Sequence, residues 1–501
     1  MNKLLPKRIY KALIALLLTA LLLPGPTAFA ADAADGGKNL DYLKSVMDMI
    51  VEQYKGQLTE SQLIQGAVAG MLNSLDKYTT FFTPEEAESF MGSVGGRITG
   101  IGVTLQQNGE YITVIEVFQG SQAQIAGIRQ GDKIVEVDGK SLIGKSTDDA
   151  VSLIKGKYGT RVRLCISRDG GRELRYYDMQ RKTVKVSPVS YEVRDGIGYI
   201  KLDSFNENTE EYINAALEEL DNKNVTRLVL DLRDNPGGEV DQAVAVARNF
   251  VPRGRITTLD YKSEASTDIV YESNLDAPRY KLAVLVNGNS ASASEIFAGA
   301  VQDTSAGKLI GTKTFGKAKF QGLIPMLTTG AYEKYEKQLG VKLIDAYELV
   351  NKYKISPSDS EILGYAKITL GLYYTPNGRM IDGTGLAPDY AVDDPKPVNG
   401  VSIIGIRKLT QTFKAGLNDM GMDVYNAEMI LKLLGFDIDA PDTLLDKKTF
   451  EAIKEFQESS GLWAYGILDI ATQKELNGRL DALTLQMDTQ YTKAVEILNK
   501  Q

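Results

Sequence analysis

From Val189 onward, short apolar runs alternate with stretches of helical spacing. The runs Ile197 to Leu202, Arg227 to Leu232 and Leu282 to Val286 read as strands, and Tyr212 to Leu220 and Val240 to Phe250 read as helices between them. This is α/β patterning with at least some parallel pairing. Two of the strands run straight into glycine-rich or small-residue turns that open helices, and strand carboxyl ends are where α/β folds place their chemistry.

Other regions have other periods. From Leu40 to Phe90 apolar residues recur at helical spacing, as in Ile64, Val68, Met71 and Leu72, with Pro84 as punctuation, so residues 31–94 are expected to be helical. Between Gly95 and Thr183 short alternating runs such as Tyr111 to Val117 and Lys133 to Val137 predict a β-rich module, with one helix near Asp148 to Lys155. A core is expected over 184–394, a linker or helix over 395–422, a small helical domain over 423–484 and a helical tail over 485–501. At about 150 residues per domain, a 501-residue chain has room for roughly three domains.

Residues 1–30 read as a signal peptide. Lys3, Lys7, Arg8 and Lys11 precede the apolar run Ala12 to Leu23, and Ala28-Phe29-Ala30 fits a cleavage site. The run is shorter than the ~20 residues that span a bilayer, so export is expected, with either cleavage or loose tethering to the membrane. Removing the segment takes away four basic residues and moves the formal charge from -8 to -12, which makes nucleic acid a poor partner. Cys165 is the one cysteine, so no intrachain disulfide can form and stability must come from burial.

The chain contains no histidine. That excludes Ser-His-Asp and Cys-His catalysis and histidine-based zinc sites, and no metal or organic cofactor is implied. Any nucleophile needs another base, and lysine leads because desolvation can leave its amine neutral near pH 7.

Three segments carry candidate chemistry. After Val286 the chain reads Asn287-Gly288-Asn289-Ser290-Ala291-Ser292-Ala293-Ser294-Glu295, a small-residue start to a helix. A serine there lies where exposed N–H groups favour a developing oxyanion, although serine and glutamate at such a position also read as N-capping residues. Phe315-Gly316-Lys317-Ala318-Lys319-Phe320-Gln321 places Lys317 and Gln321 four residues apart, on one face of a strand or helix, between apolar neighbours. Lysines are more often solvated than buried, and that reading stays open. In Asp231-Leu232-Arg233-Asp234-Asn235-Pro236-Gly237-Gly238 the glycine N–H groups fit an oxyanion hole, whereas Asp231, Arg233 and Asp234 suit turn and ion-pair duty at least as well as catalysis.

Several segments resemble known families. Gly100-Ile101-Gly102-Val103 with Ala126-Gly127-Ile128 and Gly131 to Gly139 resembles a PDZ domain, which implies capture of a peptide carboxylate by the backbone of Gly100 to Val103. The three chemical segments, in their order behind that module, resemble the carboxyl-terminal processing, or tail-specific, serine proteases over roughly residues 60–394. The resemblance implies Ser292 as nucleophile, Lys317 as general base, Gln321 as its orienting amide, and the N–H groups of Gly238 and Ala293 as oxyanion donors. Ser290 and Ser294 do not fall on the family's catalytic position. Ala318 stands where the family usually has glycine, Lys319 adds a second amine, and residues 329–363 read as an insertion. Asn426 to Gly435, Asp446 to Gln457 and Gly461 to Leu476 resemble a three-helix peptidoglycan-binding domain, with Asp442 to Leu445 in place of a glycine-containing turn and Trp463 and Phe456 expected in its core.

The expected fold class is therefore α/β and α+β multidomain: helical N-terminal region, PDZ-like module, α/β protease core and small three-helix domain. The function implied is an exported serine endopeptidase acting on proteins with accessible C-terminal segments, with peptidoglycan as a further partner and a homodimer left open. The competing reading is an inactive cell-wall scaffold. It expects Ser292, Lys317 or Gln321 to be lost, and all three are present. Two S-x-x-K strings, Ser74 to Lys77 and Ser152 to Lys155, lack the partner motifs of the penicillin-binding acyltransferases.

Overall fold

The computed structural model describes residues 36–168, 173–262 and 267–500, so the signal-peptide segment lies outside the described residues. Among the described residues no helix is long and apolar enough to cross a membrane. The chain divides into two units, residues 1–71 and 72–501. The first holds the helix Gly36–Gln53, which exposes Leu40, Tyr42, Met49 and Val51, and most of the helix Glu60–Asn73.

In the second unit a short strand, β1 (Thr80–Phe82), precedes the helix Pro84–Val94, which Thr83 and Glu86 start with a capping box. The β-rich module follows. Its strands β2 (Val103–Asn108), Tyr111–Val117, Lys133–Val137, Arg161–Arg168 and Glu173–Gln180 form an antiparallel sheet in that order around Ile112, Val114, Ile134, Leu164 and Ile166. The module's longer helix, α1 (Thr147–Ile154), contains Ser152, whose hydroxyl donates to the Asp149 carbonyl at 2.7 Å.

The core is built from β3 (Val189–Arg194), β4 (Ile197–Leu202), α2 (Thr209–Asn222), β5 (Arg227–Asp231), α3 (Val240–Ala247), β6 (Gly254–Tyr261), β7 (Ile269–Ser273), β8 (Lys281–Val286), α4 (Ala293–Asp303), β9 (Gly307–Gly311), β10 (Lys319–Leu327), β11 (Ile362–Tyr374) and β12 (Tyr390–Ala391). One sheet has the order β3-β4-β5-β8-β9-β12, antiparallel at the first pair and parallel from β4 onward. Its inner strands β4, β5, β8 and β9 are largely buried and mostly apolar because both faces are covered there. Residues from α2, α3 and α4 join Leu228, Leu230 and Val284 on one side. On the other, Tyr491, Ala494, Ile497 and Leu498 of α8 (Thr489–Lys500) pack on Val229, Ala283, Leu285 and Ile310. A second, antiparallel sheet has the order β1-β11-β6-β7, with β10 also paired to β11. The region expected as an insertion supplies the helices Thr329–Leu339 and Ala346–Tyr353 between β10 and β11.

The stretch 395–422, read as a linker or helix, contains no helix before Met422, where the first C-terminal helix begins. Pro395, Pro397 and Gly400 oppose one, yet the stretch lends Val401, Ile403, Leu409 and Ala415 to the core of the C-terminal helices. Those helices are α5 (Met422–Leu433), α6 (Lys447–Ser459) and α7 (Ile470–Met487). Phe456 is in their core, as expected, whereas Trp463 is 82% exposed. In their inter-helix loop Thr443 donates its hydroxyl to Gln106 Oε1 of β2 at 2.8 Å.

Candidate active site

The parallel strands β5 and β8 end side by side, and the turns that follow are bound to each other. Asn235 is the centre of this contact. Its carbonyl accepts from the Ala291 N–H at 3.1 Å and the Ser294 hydroxyl at 3.0 Å, and its side chain bridges the Leu202 carbonyl and the Gly237 N–H. Ser290 donates to the Leu232 carbonyl at 2.8 Å. The hydroxyls of Ser290 and Ser294 are thus buried and committed to holding the two turns together, and neither is free to attack a substrate.

Ser292, between them, is half-buried and immediately precedes α4. Its backbone sits at φ 56° and ψ -116°, a region that costs a non-glycine residue about 1–3 kcal/mol and persists only under external constraint. Two side chains supply the constraint, and both also hold Lys317. Glu295, fully buried, accepts from the Ser292 N–H at 2.9 Å and the Lys317 N–H at 2.9 Å through Oε2, and from the Gly316 N–H at 2.7 Å and the Thr314 hydroxyl at 2.6 Å through Oε1. Tyr373, also buried, places its hydroxyl 3.0 Å from the Ser292 carbonyl and 2.5 Å from the Lys317 carbonyl. Burial and the charge of Glu295 push the Tyr373 phenol well up, which keeps it a donor. Burial likewise pushes the Glu295 carboxyl up, against the pull of its Thr314 and backbone donors. In the sequence Glu295 reads as a helix cap. The three-residue spacing from Ser292 to Glu295 was the available signal, and it pointed to a cap.

Lys317 lies in the loop before β10, not on the strand. Its amine is held below the ordinary lysine pKa, first by burial and then by the ammonium of Lys367, with Lys77 adding to the effect and Glu295 and Asp76 opposing it. The ammonium neighbours that matter most are therefore Lys367 and Lys77, and the apolar cover differs from expectation too. Phe315 is half exposed and Phe320 packs edge-on against Tyr261, whereas Tyr78 puts its ring 4.7 Å from the Lys317 Nζ. Among the described residues the Lys317 amine makes no hydrogen bond or ion pair, so neither Ser292 Oγ nor Gln321 bonds it in this structure. The Gln321 amide donates to the Lys319 carbonyl at 3.2 Å and to Thr369 Oγ1 at 3.4 Å. A β-bulge between Phe320 and Gln321 breaks the two-residue alternation that would have put positions 317 and 321 on one face.

The glycine turn abuts Ser292. A Cβ on Gly237 would stand 2.9 Å from Ser292 Cβ and 2.8 Å from Ala293 N. Phe205 bonds the flanking groups, its N–H to the Gly237 carbonyl and its carbonyl to the Glu239 N–H, and this turns the Gly238 N–H away from Phe205. Among the described residues neither the Gly238 nor the Ala293 N–H donates a hydrogen bond. Beneath the turn Arg233 is buried between Asp231, at 2.5 Å, and Asp488 of the C-terminal tail, at 2.8 Å. Burial alone would raise the Asp231 carboxyl, but Arg233 and Lys201 outweigh it and hold it far below the usual carboxylate range. This is structural ion-pair duty, one of the two readings left open for these residues.

At the other candidate site, Gly102 has φ 83°, and a Cβ there would stand 2.3 Å from Ser121 Cβ. The carbonyls of Ile101 and Gly102 accept from the Ala123 and Phe118 N–H groups at 2.9 and 3.0 Å. Among the described residues the N–H groups of Ile101 and Gly102 donate no hydrogen bond. The following strand, β2, is a sheet edge on which the Gln107 N–H donates to Thr147 Oγ1 of α1 at 3.1 Å.

The strand ends bring a serine at a helix start and a partly buried lysine to one pair of turns, an arrangement compatible with a serine hydrolase that has no histidine. Comparison with known proteins agrees and is more specific. The profile of peptidase family S41 matches residues 196–392, that of the PDZ domain residues 91–167, and that of a putative peptidoglycan binding domain residues 421–476. The carboxy-terminal processing protease CtpA of Bacillus subtilis is 30% identical over 507 residues, covering 99% of this chain and all of the relative. A probable CtpA-like serine protease of Staphylococcus aureus is 30% identical over 464 residues, covering 92% of this chain and 84% of the relative. Among solved structures a photosystem II D1 C-terminal processing protease matches 70% of this chain and 86% of its own at 27% identity, with a TM-score of 0.38. The chain belongs to the carboxyl-terminal processing serine proteases of peptidase family S41 and carries PDZ and peptidoglycan-binding-like domains.

Proposed function

We propose that this protease hydrolyses peptide bonds with Ser292 as nucleophile and Lys317 as general base. The observation that carries the reading is the double clamp of Glu295 and Tyr373, which fixes the peptide groups of those two residues while the Lys317 amine stays unbonded and partly desolvated. Lys317 takes the Ser292 proton as Oγ attacks the scissile carbonyl. The Gly238 and Ala293 N–H groups stabilise the oxyanion. The Lys317 ammonium then returns its proton to the leaving amine, and water, deprotonated by the same amine, releases the acyl group from Ser292. Productive transfer needs an Nζ to Oγ distance of about 2.6–3.2 Å, and such contacts commonly tighten only when substrate is bound. Gln321 acts on the base through the strands that frame it.

Substrates are proteins whose C-terminal segments add to β2 and place their carboxylate at Gly100, Ile101, Gly102 and Val103. Export rests on the basic and apolar segment at residues 3–23 and the Ala28-Phe29-Ala30 site. Peptidoglycan is a candidate partner of the C-terminal helices, where the exposed Trp463 offers an aromatic face. The test compares wild type with Ser292→Ala and Lys317→Ala on an unfolded protein substrate. Loss of cleavage in both folded variants is expected. Continued cutting by either one removes its residue from the reaction, and an inert wild type favours the scaffold.

A further inference from the structure

Between the helix Glu60–Asn73 and β1 the chain makes a tight turn whose residues no role above requires. Asp76 accepts the Tyr78 and Thr79 N–H groups on Oδ1 at 2.8 and 2.9 Å, an arrangement in which a short acidic side chain fixes the two residues that follow it. Thr79 is buried, and its Oγ1 accepts the Thr369 N–H of β11 at 3.3 Å. The Thr369 hydroxyl in turn accepts from Gln321. Next, β1 pairs with β11 in register Thr80 to Lys367. Tyr78 is thus held from both sides, and its ring meets the Lys317 amine at 4.7 Å. Among the described residues the Tyr78 hydroxyl makes no hydrogen bond, so the aromatic face is what the turn delivers.

We propose that Tyr78 is a positioning residue for the catalytic base, its ring forming the seat on which the Lys317 amine rests and on which the ammonium produced by proton transfer is stabilised. The proposal rests on the serine-lysine reading above. Its physical basis is a balance. Catalysis needs an amine that is neutral before attack and stabilised once protonated, and a histidine base has a carboxylate partner for the second task. Among the described residues no carboxylate bonds the amine. The charged groups that act on it are Lys367 from β11, Lys77 and Asp76 from the turn, and Glu295 from α4. A ring face attracts an ammonium and leaves a neutral amine almost unaffected, so it favours the state formed during the reaction. The route from Gln321 through Thr369 to Thr79 also gives that amide a way to act on Lys317 without touching it.

The experiment compares Tyr78→Phe, Tyr78→Leu and Tyr78→Trp in the full chain, following kcat, KM and the pH profile of kcat on one unfolded protein substrate. Phenylalanine keeps the face, and its activity and acid limb are expected to match wild type. Leucine keeps the burial but not the face. Its plateau kcat is expected to fall about tenfold with KM unchanged, and its acid limb to move down by about one pH unit. Tryptophan strengthens the face and is expected to move the limb up. The proposal is overturned if leucine matches wild type, if phenylalanine loses as much as leucine, or if only KM changes. Should leucine not fold, the direction of the tryptophan shift decides alone, an unmoved or lowered limb counting against the proposal. Inactive Ser292→Ala and Lys317→Ala beside a wild-type-like Tyr78→Leu would sink this inference and leave the serine-lysine reading standing.

Discussion

At Ser292 a strained backbone, a half-buried residue and a helix start coincide; the small residues from Asn287 to Ala293 read equally as a helix cap, and the family resemblance is what singles out Ser292 among them. Lys317 was legible as a lysine between apolar residues. Its real surroundings were not, because Tyr78, Lys367 and Glu295 come from segments far apart in sequence, and because no residue pattern marks the bulge that separates the faces of Lys317 and Gln321. Glu295 gives the sharpest prediction at this scale. Glu295→Gln keeps the shape but turns one acceptor into a donor facing N–H groups, and a buried donor left unsatisfied costs about 1–3 kcal/mol. Melting temperature is expected to fall accordingly, and kcat on the order of 100-fold, since both reacting residues are displaced. Because the amine of Lys317 is depressed and must be neutral to act, kcat/KM in wild type is expected to rise with pH through a limb below 10.5, the ordinary lysine value. A limb at or above that value would place the base elsewhere.

The parallel strands β4, β5 and β8 match their apolar runs closely, since burial on both faces leaves a continuous hydrophobic signature. What covers the second face did not show in sequence. The tail α8 carries Tyr491, Ala494, Ile497 and Leu498, and only the sheet tells where that stripe docks. Asp488, at the start of the tail, pairs with Arg233 under the glycine turn. Removing one partner of a buried pair costs about 3–5 kcal/mol, so Asp488→Ala is expected to lower thermal stability strongly and loosen the turn that presents Gly238. Chemical denaturation with activity measured in parallel checks both. In the C-terminal helices Glu428 is buried, accepts from Thr449 and the Asp442 N–H, and is pushed up to about 7 by burial. A carboxyl whose folded pKa lies above its unfolded one stabilises at low pH and loses that contribution as pH rises from about 4.5 to 7, here about 3 kcal/mol. The melting temperature of that region is expected to fall across this window in wild type and to be flatter in Glu428→Gln.

Across the whole molecule, domain order was readable because each segment changes the period of its apolar residues. Contacts between domains, such as that of Gln106 with Thr443, were not, because they join residues far apart in sequence. The PDZ-like module shows the consequence for function. Thr147 accepts from the Gln107 N–H on the edge where an incoming strand would pair, so Thr147→Val is expected to tighten binding of a C-terminal peptide, by roughly 2–10-fold if the displaced bond has ordinary strength. Calorimetric titration measures it, and unchanged affinity would place the peptide elsewhere. The central claim is the transfer of a proton from Ser292 to Lys317, and the mass of the acylated protein tests it most directly. With a peptide p-nitrophenyl ester, whose phenolate leaves without a proton, wild type is expected to gain one acyl group on Ser292 while Lys317→Ala gains it far more slowly. Acylation of Lys317→Ala at the wild-type rate, or an acyl group on any other residue, would contradict the account.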